Sequence, residues 1–327
     1  MIKGLLLCLG LALLAFMIHQ VGLNNILEQL SRLGFNALII LIPYTFVYLF
    51  DALGWRMTLR GKANEIAFPR LFLTRMAGEA INYITPSAYL GGEPVKAYLL
   101  QKRGIPLVDG LASVVTAKTV MVISQIFFVL LGMGLAFSSL RHDDGLIYAA
   151  VLVVGWVSLA AAFLVFAQHR GMFTGILWLL EVMRPPAGFL KRRQEKLKDL
   201  DATILAFYGQ HRSSFLSALL FFFLGWLSGS FEIYLLMNFL DLPMDLRTAI
   251  SLEALTTVIK AAVFFIPSGL GAQEGGNILL FTSFGFSPVI AMTFSIIRRM
   301  REAIWITIGL LYLAKQELGV LQYGKHA

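Results

Sequence analysis

The sequence predicts an all-α polytopic membrane protein, with about six full spans and two re-entrant helical hairpins arranged as inverted repeats. Three observations carry this expectation. The 327 residues are 58% hydrophobic and only 14% charged, with a mean hydropathy of +0.76; soluble domains carry about 25% charged residues. Uncharged runs near the ~20 residues needed to cross hydrocarbon occupy 4–27, 33–50, 119–140, 145–168 and 213–231. Finally, six residues recur at one spacing of 181: Pro86, Ser87, Glu93, Leu99, Gly104 and Val108 match Pro267, Ser268, Glu274, Leu280, Gly285 and Val289. Lys118 keeps that register with Arg299, and Glu79 falls opposite Lys260. Paired broken segments in two halves of a membrane protein point to a transporter-type binding site.

Taken in order, full spans are expected near 4–22, 37–58, 106–137, 146–167, 213–240 and 286–314. The segments near 70–101 and 247–283 become hairpins that enter and leave on one face. Three crossings separate them, so they open to opposite faces. An ordinary eight-helix bundle with kinked helices is the alternative. The whole chain, 1–327, reads as one transmembrane domain. Its repeats cover about 70–137 and 247–314, and a cytoplasmic amphipathic segment covers about 169–212. Within that segment a mixed-charge helix is expected over 172–207, interrupted at Pro185-Pro186 and lying along the membrane surface.

Charge sets the orientation. Arg56, Arg60, Lys62 and Arg70, then Lys102-Arg103, then Lys191-Arg192-Arg193 mark loops that stay in the cytoplasm, with both termini on that side of the cytoplasmic (inner) membrane. The net charge of +8 follows from this rule and does not point to nucleic acid. The lone Cys8 excludes an intrachain disulfide framework, and the first apolar run reads as a retained helix. The five His are scattered without metal spacing, and no P-loop occurs, so neither a metal, another cofactor nor ATP-driven pumping by this chain is expected.

The candidate binding residues sit at the breaks and in the late helices. Arg75, Glu79 and Asn82 fall on one helical face by i, i+4, i+7 spacing. Pro86 ends that helix, Gly91-Gly92 turns, and Glu93 opens the next, either as its cap or as a substrate contact. Lys96 is expected to face cytoplasmic headgroups. In the second hairpin Glu253, Thr256 or Thr257 and Lys260 share a face ahead of Pro267, Ser268, Gly271 and Glu274. A charge at the centre of a spanning helix costs about 2.5–3.5 kcal/mol on insertion scales, so such groups are functional candidates. Lys118 and the cluster Arg298-Arg299-Met300-Arg301-Glu302 are the strongest: Lys118 and Arg299 each lie about 18 Å inside a helix start, near the midplane of a ~30 Å core. Two cations there suit an anionic headgroup; the competing role is a structural ion pair with Glu79, Glu253, Glu274 or Glu302.

At Glu79-x-x-Asn82-x-x-x-Pro86 with Gly92-Glu93 and Leu99-Leu100, at Ile266-Pro267-Ser268-Gly269-Leu270-Gly271-x-x-Glu274, and at Arg298-Arg299, the chain resembles the transmembrane region of lysylphosphatidylglycerol synthases, a flippase-like family. The resemblance implies movement of a lipid through a cavity between two re-entrant repeats. No soluble synthase domain accompanies it, so neither aminoacyl transfer nor a lysyl-lipid substrate is implied. The expected function is therefore a non-enzymatic lipid flippase or translocator for a polar or anionic lipid. Its expected partners are the membrane lipid substrate, with a lipid-biosynthesis enzyme and a second copy of the chain left open. The alternative is a non-transporting accessory protein of a hopanoid, glycolipid or envelope biosynthesis complex.

Overall fold

The computed structural model describes residues 16–85, 91–136, 144–172, 174–175, 187–242, 244–263 and 266–323. Most of the expected first span, Pro86 and Pro185-Pro186 lie outside them. Every regular element among the described residues is helical. α1 covers Leu23–Leu33, and a short turn, Asn36–Ile39, leads into α2, Ile42–Thr58. α3 (Phe68–Ile84), α4 (Gly92–Gln101) and α5 (Leu107–Ala136) follow, then α6 (Asp144–His169) and α7 (Ala187–Gln210). The remaining helices are α8 (Arg212–Phe239), α9 (Leu246–Ala262), α10 (Ala272–Ser283) and α11 (Pro288–Tyr323).

Local chemistry explains several of these ends. Pro43 and Pro69 stand in the first turns of α2 and α3, where a missing N–H costs nothing. Asp245 caps α9 by accepting from the Thr248 N–H at 2.9 Å. The segments Asn36–Thr58, Leu107–Ala136 and Arg212–Phe239 are long and apolar enough to cross a membrane. α6 adds an exposed apolar surface of Tyr148, Leu152, Trp156, Leu159 and Phe163, which suits lipid rather than water. The protein is thus a helical membrane protein. At 1.5 Å per residue α4 rises about 15 Å and α10 about 18 Å, roughly half of a ~30 Å hydrocarbon core.

The spacing of 181 has a structural cause. α5 starts at Leu107 and α11 at Pro288, 181 residues later. The turns before them are the same motif. Gly104 (φ 89°) donates to the Gln101 carbonyl while the Ile105 N–H reaches back to Leu100; Gly285 (φ 86°) donates to Thr282 while the Phe286 N–H reaches Phe281. Only glycine takes that left-handed turn without strain. The two repeats then pack by exchange, α3 against α11 and α9 against α5. Between them α2 runs along α8, where Gly54 leaves room for the Phe222 ring.

α7 does more than lie on a surface. Leu200, Ile204 and Phe207 are buried, the first two against Ala112 of α5, and Tyr208 donates to the Gln168 side chain at 2.8 Å. The helix extends to Gln210, beyond the expected end at 207, because this apolar face is covered by protein.

Candidate functional site

In the first repeat, α3 presents Arg75, Glu79 and Asn82 as the helical spacing requires, and each finds a different partner. The Arg75 guanidinium donates to Asp51 of α2 at 2.5 Å. Glu79 accepts from Lys96 of α4 at 2.7 Å, and the same ammonium lies 3.1 Å from Glu93. Lys118 of α5 stands 3.9 Å from Glu93. Asn82 secures the break: its carbonyl oxygen accepts from the Gly92 N–H at 2.7 Å, and its amide donates to Glu93 at 3.3 Å. Asn82 therefore satisfies the start of α4, and Glu93 serves the ionic cluster.

Lys96 overturns one expectation. It does not face headgroups; it is 6% exposed and enclosed by two carboxylates. Gly78 makes the room, since a Cβ there would stand 2.4 Å from the lysine stem.

In the second repeat the break runs through the turn Pro267–Gly269, with Ser268, Gly269 and Gly271 all at positive φ. Glu274 folds back to accept from the Gly271 N–H at 2.7 Å and takes Arg299 with its other oxygen at 2.7 Å. Arg299 also donates to the Ser268 carbonyl and to Glu302, both at 2.9 Å. Glu253 takes Arg298 of α11. Glu232 of α8, fully buried, holds both Arg298 and Arg301.

The two breaks meet. Ser268 donates its hydroxyl to the Tyr83 carbonyl at 2.9 Å, and Lys260 donates to the Tyr83 hydroxyl at 3.0 Å. Beside this contact lies a cavity of about 270 Å³. Arg75, Glu79 and Lys118 line it from the first repeat; Glu253, Lys260, Gln273, Arg298, Arg301 and Glu302 line it from the second. Tyr44, Tyr48 and Asp51 of α2 and Trp226 of α8 also line it. Among the described residues no group of His, Cys, Asp or Glu is arranged to hold a metal ion.

Of the expected site residues, the cavity gathers Arg75, Glu79, Lys118, Glu253, Lys260 and Arg298. Asn82, Glu93, Ser268, Gly271, Glu274 and Arg299 instead shape or brace the two helix breaks. Pro267 stands in the second break, and its counterpart Pro86 lies outside the described residues. Sequence reasoning missed Asp51 and Glu232, the acids that α2 and α8 contribute. A signal was present: 51 and 232 are also 181 apart, and both are acidic.

The chain is 25% identical to a UPF0104 membrane protein of Methanothermobacter thermautotrophicus, over 91% of this chain and 90% of that protein. It is 22% identical to a UPF0104 membrane protein of Pyrococcus horikoshii, covering 97% and 98% of the two chains. A third such protein, from Methanocaldococcus jannaschii, is 25% identical over 91% of this chain and 89% of its own. No solved structure gives a significant match. The family described as the lysylphosphatidylglycerol synthase TM region matches residues 1–309, nearly the whole helical assembly just described, and the chain belongs to that family.

Proposed function

We propose that this protein translocates a polar lipid across the cytoplasmic membrane without enzymatic chemistry of its own. The observation that carries this reading is the 270 Å³ cavity lined with charged side chains from both repeats, beside the point where the two broken hairpins touch. Interrupted helices facing each other around a polar space are a transporter-type arrangement. Irregular backbone at membrane depth is tolerated where it is buried or lines such a space. The short rises of α4 and α10 fit hairpins that re-enter the face they came from. In that topology six helices span, the hairpins open to opposite faces, and the basic loops hold both termini in the cytoplasm. The headgroup occupies the cavity while the acyl chains stay in surrounding lipid. The family's description, which refers to a lipid synthase, supports lipid as the cargo. An enzyme that makes this lipid on the inner face is the partner the reading suggests.

The test is reconstitution of the purified protein into vesicles holding an acyl-labelled fluorescent lipid. A membrane-impermeant reductant then bleaches only the label it can reach. Bleaching that proceeds to the inner-leaflet pool in proteoliposomes, but stops at the outer leaflet in protein-free vesicles, is the expected result. An inner pool that stays protected around folded protein would overturn the proposal.

A further inference from the structure

The ionic groups around the cavity fall into two clusters, one on each repeat together with an acid from α2 or α8, and the charges cancel within each cluster. In the first, Asp51, Glu79 and Glu93 face Arg75, Lys96 and Lys118. In the second, the four carboxylates Glu232, Glu253, Glu274 and Glu302 share their surroundings with Arg298, Arg299, Arg301 and Lys260. Fourteen charges therefore sum to zero with every group ionised. The sequence suggested two available midplane cations, Lys118 and Arg299, awaiting an anion. The geometry differs, because Arg299 is engaged by two carboxylates and a carbonyl. A headgroup with net charge would enter a low-dielectric space holding no excess counter-charge, which is the situation bilayers resist.

One part of the wall nevertheless has donors to spare. Arg75 is 4% exposed, and although one terminal nitrogen serves Asp51, its Nη1 finds no acceptor among the described residues. The indole N–H of Trp226 is equally without one. Both residues line the cavity, together with Lys118, whose ammonium reaches Glu93 only at 3.9 Å. Buried donors without acceptors are costly, so Arg75 and Trp226 favour a ligand rich in acceptor oxygens, the loosely paired Lys118 can join them, and charged donors prefer an anionic ligand. A phosphodiester supplies that. The neutral balance then calls for a compensating cation on the same headgroup, which would share the carboxylates of Glu253 and Glu302 with Arg298 and Arg299, and the rings of Tyr44 and Tyr48 with Arg301 and Arg75. We infer that the site takes a zwitterionic phosphodiester headgroup, with its phosphate at Arg75, Lys118 and Trp226, in preference to a net-anionic one. This assignment rests on the translocator reading.

Binding and movement are measured separately. Calorimetric titration of the detergent-purified protein uses dihexanoyl phosphatidylcholine and dihexanoyl phosphatidylglycerol as probes below their micellar concentrations. The zwitterion is expected to bind tighter by a factor on the order of one hundred, the ratio matching the insertion cost of one uncompensated charge. Lys118→Gln, at a partly exposed position, is expected to fold normally and to lose most of the zwitterion's affinity. Glu79→Gln, which leaves the cluster with one excess positive charge, is expected to shift preference toward the glycerol headgroup. Tighter binding of phosphatidylglycerol by the unaltered protein would overturn the inference, as would zwitterion affinity that is absent or indifferent to Lys118→Gln. The bleaching assay then distinguishes the two failures. Zwitterion binding without movement would sink translocation and leave the headgroup assignment standing; movement of the anionic lipid with tighter anion binding would do the reverse.

Discussion

Removing the charge of Arg299 should destabilise the protein, whereas removing that of Lys118, its counterpart 181 residues earlier, should not. Arg299 donates to Glu274 at 2.7 Å and to the Ser268 carbonyl and Glu302 at 2.9 Å. Its two acidic partners have side chains only 2% and 6% exposed. Arg299→Gln therefore strands buried carboxylates, which costs about 3–5 kcal/mol for a broken buried pair. Lys118 has a side chain 32% exposed and one partner at 3.9 Å. A loosely held, partly wetted pair is worth about 0–1 kcal/mol. The two substitutions should differ by at least ~2 kcal/mol. Unfolding of detergent-purified protein would measure this for both single variants and for Arg299→Gln with Glu274→Gln. The second substitution should recover part of the loss, because it removes one of the two stranded charges. An Arg299→Gln protein as stable as the parent but unable to move lipid would refute the bracing role and make Arg299 a headgroup ligand. Equal destabilisation by Lys118→Gln would refute the asymmetry between the repeats.

Three further outcomes follow from other parts of the fold. Glu232→Gln should lower stability by about 3–5 kcal/mol, because one fully buried carboxylate holds both Arg298 and Arg301; unfolding midpoints would check this. Gly92→Ala should cut membrane abundance, since a Cβ would lie 1.8 Å from the Gly78 carbonyl oxygen, and the cost should reach the upper end of the about 1–3 kcal/mol typical of overpacking. Asp245→Ala should cost about 1 kcal/mol through loss of the α9 cap. Hydrogen bonds from Thr248 hold the Asp245 carboxyl below its ordinary pKa, so its contribution is fully present above the unfolded value and fades as pH falls through the lower folded one. A stability profile in acid should therefore be flatter for Asp245→Ala than for the parent.

The helix bounds were legible because composition and turn chemistry set them locally. Leu107–Ala136 and Arg212–Phe239 match the spans expected at 106–137 and 213–240, and the helix pairs Phe68–Ile84/Gly92–Gln101 and Leu246–Ala262/Ala272–Ser283 are separated where Pro and Gly interrupt apolar runs. The 181-residue register was legible because its anchors, Gly104 and Gly285, take a backbone turn that tolerates little substitution. The charge partners were legible only in part: Glu274 and Glu302, which hold Arg299, were among the acids expected for the competing structural role. Which acid meets Arg298 depends on how α8 and α9 pack, and neither Glu232 nor Glu253 is near it in sequence. Lys96 misled because a lysine after a turn ordinarily marks a wetted surface. The clue to its burial was Gly78, a residue in another helix whose missing side chain is needed by the lysine stem.

Stability alone is a poor reason for so many charges beside one cavity. Replacing a buried ion pair with well-packed apolar side chains is often neutral or favourable by about 1–4 kcal/mol. In a bilayer the alternative is cheaper still, because apolar side chains match the surrounding solvent. The distribution of charge types sharpens the point. Arginines dominate the second repeat, where planar guanidinium groups bridge two acids or an acid and a carbonyl and tie α11 to α8, α9 and the break at Ser268. The first repeat relies more on lysines, point charges on flexible stems, and keeps Lys118 only loosely attached. At register position 79/260, where the two sides carry opposite charge, Glu79 turns to Lys96 of its own repeat while Lys260 crosses to Tyr83 of the other. A purely structural network gains nothing from such unevenness. A site that must hold a polar headgroup, with one wall fixed and the other able to exchange partners, has a physical use for it.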